Sequence, residues 1–279
     1  MEEYPNFISV TILPNDEIKK KYDELIGVDD PKNELLAHIN ACTNPSFILK
    51  WYKTHYPFEH PTLPEFSGKA LLIGPTGTGK TTIAKGIADE YSRRIGKEVY
   101  LVELGLIRSK FVGQTSKNIS TAFEKVRELS KKAPVIFLLD EFDSLANTRN
   151  SIEMHEEIKN SVNTLIKELD KTNSNSIYII CCTNFERNLD EAVKRRFDLI
   201  LRFRRPNLEE RIKLFSYWLK PFNLPRKDIV DLAKKTKGFT PAEIKRVIKE
   251  AILDALTKNE PLSIKHLLEN IRNHKPEED

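Results

Sequence analysis

An apolar run, Ala70-Leu71-Leu72-Ile73, leads directly into Gly74-Pro75-Thr76-Gly77-Thr78-Gly79-Lys80-Thr81, and this junction constrains the fold more than any other stretch. The run is short, does not alternate with polar residues and ends in glycine, which predicts a strand covered on both faces. The glycines after it let successive backbone N–H groups converge on one point, as a phosphate cradle needs. A helix beginning near Thr82 adds the partial positive charge of its N-terminus. Lys80 is placed to reach the β and γ oxygens, and Thr81 to offer a hydroxyl to Mg²⁺. Gly74 opens the motif, and Pro75, Thr76, Gly77, Thr78, Gly79, Lys80, Thr81 and Thr82 are therefore the expected phosphate-binding residues.

A triphosphate with Mg²⁺ also needs a carboxylate for the metal and, for hydrolysis, a group that polarises water. Val135-Ile136-Phe137-Leu138-Leu139 followed by Asp140-Glu141 supplies both at the end of a second buried strand. Asp140 is the candidate metal ligand and Glu141 the candidate general base. At this level Mg·ATP and Mg·GTP are equally good readings.

Further strand-like runs occur at Val99 to Leu104, Ile177 to Thr183 and Phe197 to Phe203. Amphipathic stretches separate them, such as Asn118 to Lys131, where Ile119, Ala122, Phe123, Val126 and Leu129 recur at helical spacing. Strands alternating with helices predict an α/β fold with a parallel five-stranded sheet covered by helices. After Arg204-Arg205-Pro206-Asn207 the periodicity is purely helical. Thr240-Pro241-Ala242-Glu243 reads as a helix start, with a threonine cap, proline at the first position and glutamate completing a capping box. The expected organisation is a short N-terminal arm over 1–21, an α/β domain over 22–205 and a small all-helical domain over 206–279. The stretch His55 to Phe66 reads as an irregular connection.

Bulk properties exclude several classes. Lysine and arginine total 45 against 41 acidic residues, a net charge of +4, too mild to mark a nucleic-acid protein. Three cysteines, two adjacent in an apolar run, form no disulfide framework, and no CxxC or Cys/His ligand spacing is found. No stretch approaches the roughly 18 consecutive apolar residues of a membrane span, and Met1-Glu2-Glu3-Tyr4-Pro5 does not begin a signal peptide. A reducing, cytoplasmic location is expected.

The ordered set GPTGTGKTTIA, SKFVGQTSKNI, VIFLLDEFDSLA, CCTN and LDEAVKRRFD resembles the ATPase module of the AAA family, within the AAA+ superfamily. The likeness begins near Tyr22-Asp23-Glu24-Leu25-Ile26-Gly27 and ends in Leu262-Ser263-Ile264-Lys265-His266-Leu267-Leu268, similar to the family's last lid helix. It implies ATP as nucleotide and Mg²⁺ as metal, with adenine contacts from Ile26, Gly27 and Ala242. It also implies Asn184 as the sensor that positions the attacking water. Arg195 and Arg196 match an arginine pair that reaches the γ-phosphate of a neighbouring subunit. Lys110, Phe111 and Val112 resemble a pore loop that grips an extended polypeptide, and 150–157, with His155, falls where a second pore loop would lie.

Departures from the family pattern carry information. Thr76 stands where a second proline is common, and Pro241 where the lid motif usually has glycine. The adjacent arginines resemble the katanin and spastin branch. The acidic end Glu277-Glu278-Asp279 lacks a proteasome-docking tyrosine, and no HExxH zinc-protease motif occurs.

The resemblance implies a homo-oligomeric ring, a hexamer, that hydrolyses ATP between subunits and remodels, unfolds or disassembles a protein substrate delivered directly or by an adaptor. Two alternatives stand beside it. One is an AAA+ module acting on nucleic acid, supported by Arg202, Arg204 and Arg205. The other is an ATP-dependent switch or adaptor, disfavoured because a pure binder needs neither Glu141, Asn184 nor the arginine pair.

Overall fold

A computed structural model describes residues 5–56, 65–105, 114–140, 152–172, 175–184, 191–274 and 276, with the side chains of 152–158 excepted. Glu141, Lys110, Phe111, Val112 and the 150–157 segment expected to carry a general base and pore loops lie outside the described residues or their described side chains.

The chain divides into two compact units. The first comprises Met1–Asp23, Asp30–Ile73 and Thr81–Arg202 and is built on one six-stranded sheet. Its strands are β1 (Ile8–Leu13), β2 (Lys69–Ile73), β3 (Val99–Leu104), β4 (Val135–Leu139), β5 (Ile177–Thr183) and β6 (Leu199–Arg202), in the order β1-β3-β4-β5-β2-β6. All neighbouring pairs are parallel except β1 with β3, which is antiparallel and registers Ile8 with Leu104. Every residue of β2, β4 and β5 is buried, which is why those runs show no polar alternation.

The mixed α/β architecture agrees with the sequence, and β1 enlarges the expected five-stranded sheet. The N-terminal arm is not loose: its strand pairs with the β3 edge and is followed by α1 (Asp16–Asp23). Two further helices, α2 (Asp29–Thr43) and α3 (Pro45–His55), precede β2. Helix α4 starts at Lys80, two residues before the expected Thr82, and runs to Ile95.

Helix α5 (Gln114–Leu129) buries Ile119, Ala122, Phe123, Val126 and Leu129, the five apolar positions its periodicity selects. With Leu165 and Leu169 of α6 (Ile152–Lys171) they form one core with β3, β4 and β5. Phe123 meets Phe137 edge to face, with ring centroids 5.0 Å apart, the arrangement that opposes the positive rim of one ring to the negative face of the other. The single-turn helix α7 (Glu191–Lys194) leads into β6.

The second unit comprises Glu24–Asp29, Gly74–Lys80 and Phe203–Asp279. Helices α8 (Leu208–Trp218), α9 (Arg226–Lys235), α10 (Pro241–Thr257) and α11 (Ile264–Asn273) enclose a core that includes Phe215, Leu232, Ile244, Val247 and Leu267. The predicted start of α10 forms as a full capping box: Thr240 Oγ1 accepts from the Glu243 amide at 3.3 Å and Glu243 accepts from the Thr240 amide at 2.6 Å. Pro241 costs this helix nothing, because the first helical N–H has no intrahelical partner. Arg211 is buried and donates to the carbonyls of Ala233 and Pro206, tying the end of α9 to the start of α8.

Candidate nucleotide site

The phosphate loop lies in the second unit with the helical domain. Gly77 has φ of 77°, and a Cβ there would come within 2.7 Å of the Ala242 Cβ. The Ala242 amide donates to the Gly77 carbonyl at 3.3 Å. Gly74 is equally constrained, since a Cβ on it would meet the Phe203 carbonyl oxygen at 2.4 Å. Only glycine leaves room for the loop to close on these neighbours. Lys80 is buried and its ammonium donates to the carbonyls of Gly74 at 2.6 Å and Pro75 at 2.9 Å, so the charge is held inside the curve of the loop. Thr78 closes the turn by donating to the Pro75 carbonyl at 2.8 Å.

Ile26 and Gly27, expected at the adenine, fall in the same unit, with Ile26 packed on the helical core and Gly27 beside Glu210. Thus Ile26, Gly27, the loop and Ala242 are brought into one compact unit from three separated stretches of sequence.

In the first unit, Asp140 and Asn184 follow the C-terminal ends of β4 and β5, which are neighbouring parallel strands. That is the edge of an open α/β sheet where ligands collect. Thr81 Oγ1 donates to Asp140 Oδ2 at 2.8 Å. A hydroxyl and a carboxylate oxygen side by side are the hard oxygen donors that Mg²⁺ takes, so these residues fit the metal and the glycine-lined loop fits a polyphosphate. Sequence inspection missed that the N-terminal arm reaches this edge. Asn6, Phe7 and Ser9 line a cavity of about 300 Å³ with Glu103, Leu104, Gly105 and Asp140, and the Gly105 amide donates to the Phe7 carbonyl at 3.0 Å.

The two arginines are placed differently. Arg195 is exposed and its side chain makes no hydrogen bond or ion pair among the described residues. Arg196 forks onto Asp170, Nε to Oδ1 at 3.1 Å and Nη2 to Oδ2 at 3.2 Å, and its Nη1 donates to the Ala192 carbonyl at 2.6 Å.

The sequence offers no recognised Cys/His ligand spacing, yet the fold brings a histidine and a cysteine together. His38 and Cys42, one turn apart on α2, come together with Asp198, their ligand atoms within 4.8 Å of one another. The group is read better as a hydrogen-bonded latch than as a metal site. Asp198 accepts from the Ser67 amide at 2.7 Å, the Ser67 hydroxyl at 2.5 Å and the Lys69 amide at 3.3 Å. A carboxylate only accepts, so His38 donates from Nε2 at 3.2 Å, while Nδ1 pairs with the buried Tyr178 hydroxyl. Both ring nitrogens are engaged. Burial works against the charged form of Asp198, but the hydrogen bonds from His38 and Ser67 outweigh it and hold the carboxyl well below the usual range. Burial pushes the Cys42 thiol up to about 12.

The sheet order, the glycine-walled phosphate loop and the strand-end carboxylate define a phosphate-loop nucleotide-binding protein with an appended helical domain. The chain belongs to the AAA family of ATPases: residues 70–205 match the model of the ATPase family associated with various cellular activities, and residues 227–269 match the AAA+ lid domain. It is 30% identical to CD-NTase-associated protein 6 of Escherichia coli, over 88% of this chain and 87% of that protein. Cell division protein C of Sulfolobus acidocaldarius is 32% identical over 84% of this chain, which spans only 59% of that relative. This chain likewise covers 63% of a putative proteasome regulatory subunit homologue of Methanocaldococcus jannaschii. A chain in the solved HORMA:CdnC:Trip13 complex of E. coli superposes with a TM-score of 0.87 at 29% identity, covering 96% of this chain and 95% of that one. Among the described residues no helix is long and apolar enough to cross a membrane.

Proposed function

We propose that the chain hydrolyses ATP with Mg²⁺ at sites completed by the neighbouring copy in a hexameric homo-oligomer, and that turnover remodels a protein substrate in the cytoplasm. The observation that carries the reading is the 2.8 Å contact between Thr81 Oγ1 and Asp140 Oδ2, a ready-made pair of oxygen donors for the metal. When bound, Mg·ATP supplies the phosphoanhydride and a divalent charge on its oxygens. The protein's own residues do the rest. Lys80 neutralises phosphate charge, Glu141 takes the proton of the attacking water, Asn184 orients that water, and the arginine segment acts across the subunit boundary. Lys110, Phe111 and Val112 are assigned to the grip on the substrate.

Within the family, the adjacent arginines favour the katanin and spastin branch by motif pattern, whereas the whole-chain likeness favours Trip13. The second draws on many more residues and guides the choice of substrate. A folded HORMA protein is accordingly the first candidate.

The nucleic-acid alternative is weakened at two of its three arginines. Arg204 is held by Glu210 through two contacts of 2.8 Å, and Arg205 donates to the Gly238 carbonyl and faces Glu243 at 3.5 Å, so these charges are already committed.

The test is ATPase rate per subunit against protein concentration. A steep rise to a plateau is expected for shared sites; full activity in a particle sized as a monomer would end the reading.

A further inference from the structure

Adjacent arginines invite the view that both act on the neighbour's nucleotide. We infer instead that they divide the work: Arg195 is the arginine presented to the neighbouring copy, and Arg196 is a positioning residue that clamps the turn in place from within its own chain. This rests on the shared-site reading above.

Three observations carry it. All three nitrogens of the Arg196 guanidinium donate within the chain, two of them in a fork onto Asp170 near the end of α6 and the third to the Ala192 carbonyl. The carbonyl contact lies in the single turn of α7, where a cation also meets the negative end of the peptide dipoles. To reach another subunit, Arg196 would have to give up a planar, bidentate geometry that suits guanidinium and carboxylate. By contrast, the Arg195 backbone donates to the Glu191 carbonyl at 3.1 Å, and its side chain stands exposed.

The second support is downstream. Phe197 is buried in the sheet core, and Asp198 is fastened by Ser67, Lys69 and His38. The turn is thus tied at 196, 197 and 198, immediately after a residue whose side chain is exposed and makes no hydrogen bond or ion pair among the described residues. Third, Asp170 cancels one of two adjacent positive charges, so the segment offers a single guanidinium to a partner.

An exposed ion pair by itself adds little stability. The clamp's effect is therefore expected in the placement of Arg195, where displacement of about 1 Å lowers rate on the order of a hundredfold.

The experiment compares the full-length variants Arg195→Ala, Arg196→Ala, Asp170→Asn and the double variant Asp170→Asn/Arg196→Ala, reading kcat, KM for ATP and Tm. Arg195→Ala is expected to lower kcat by roughly a thousandfold. Arg196→Ala and Asp170→Asn should each lower kcat by about tenfold to a hundredfold, with KM for ATP and Tm held, and the double variant should be no worse than either single one. Asp170→Asn keeps the shape of the side chain, so a folding defect would not obscure the result. Wild-type kcat in Asp170→Asn together with a thousandfold loss in Arg196→Ala would make Arg196 a second finger and overturn the inference while leaving shared sites intact. Full activity in both Arg195→Ala and Arg196→Ala would instead remove the shared-site reading itself.

Discussion

The Thr81 hydroxyl donates to the Asp140 carboxylate across 2.8 Å, although 59 residues separate the two in sequence. The first turn of α4 and the end of β4 are thereby joined by a polar contact. Replacing Thr81 with valine keeps the volume and removes the hydroxyl. ATPase activity should fall by at least about tenfold, as for the loss of one metal-oriented oxygen, and the Mg²⁺ concentration giving half-maximal rate should rise. Asp140→Asn should do the same more severely. A Mg²⁺ titration of kcat in each variant measures this; an unchanged Mg²⁺ requirement in both would detach the pair from the metal.

Gly77 should not tolerate alanine. The added Cβ would approach the Ala242 Cβ to 2.7 Å while the backbone holds φ of 77°, a conformation costing an ordinary residue about 1–2 kcal/mol. Weaker nucleotide binding and a lower Tm are expected, measured by fluorescent-nucleotide titration and calorimetry. Gly77→Ala combined with Ala242→Gly should recover part of the loss, because the clash is relieved and the strain is not.

Asp198 sets a pH signature. Its folded carboxyl lies below its ordinary value of 3.8, so its contribution to stability is fully present above that pH and declines as acid titrates the folded group. Asp198→Asn should therefore destabilise the protein at neutral pH, and its deficit relative to wild type should shrink only below about pH 4. Denaturant unfolding at pH 7, 5 and 3 provides the comparison. A deficit that is constant across all three would assign the latch to packing and not to charge.

All three cysteines are buried and none is in a disulfide, and burial pushes the Cys42 thiol up to about 12 and Cys181 higher still. The thiolate is the reactive form. Native protein at pH 7.5 should consume far less than one equivalent of a thiol reagent on a time scale that labels all three after denaturation. Rapid native labelling would contradict the burial of α2 against the sheet.

Local chemistry explains what the sequence made legible. Each strand buried on both faces must be a continuous apolar run, and α5 must repeat its apolar residues at helical spacing, so β2 to β5 and the five core positions of α5 can be read directly from the order of residues. The cap of α10 is equally visible, because a capping box is completed within four residues. The phosphate loop is a local device as well, since one short stretch carries its glycines, its lysine and its hydroxyl.

Strand β1 is not legible in this way. Its residues commit to a strand only because the free edge of β3 is available to Ile8–Leu13, and no signal inside the arm names that partner. Helix α3 buries none of its residues, although Ile48, Trp51 and Tyr52 recur at helical spacing, so periodicity alone does not say whether a face is covered.

By itself, the sequence determined the chemistry on offer: a phosphate cradle, strand-end acids, an arginine pair and a helical domain with its own core. Only the tertiary structure decided which groups meet. It joined Thr81 to Asp140, set Ala242 against Gly77, gathered His38, Cys42 and Tyr178 around Asp198, and engaged Arg196 with Asp170 while leaving Arg195 exposed. The physical reason is range. Backbone propensity and hydrophobic periodicity act over a few residues and leave a regular trace in the sequence, whereas a side-chain contact depends on the packing of whole elements, and nothing in the spacing of two residues records it.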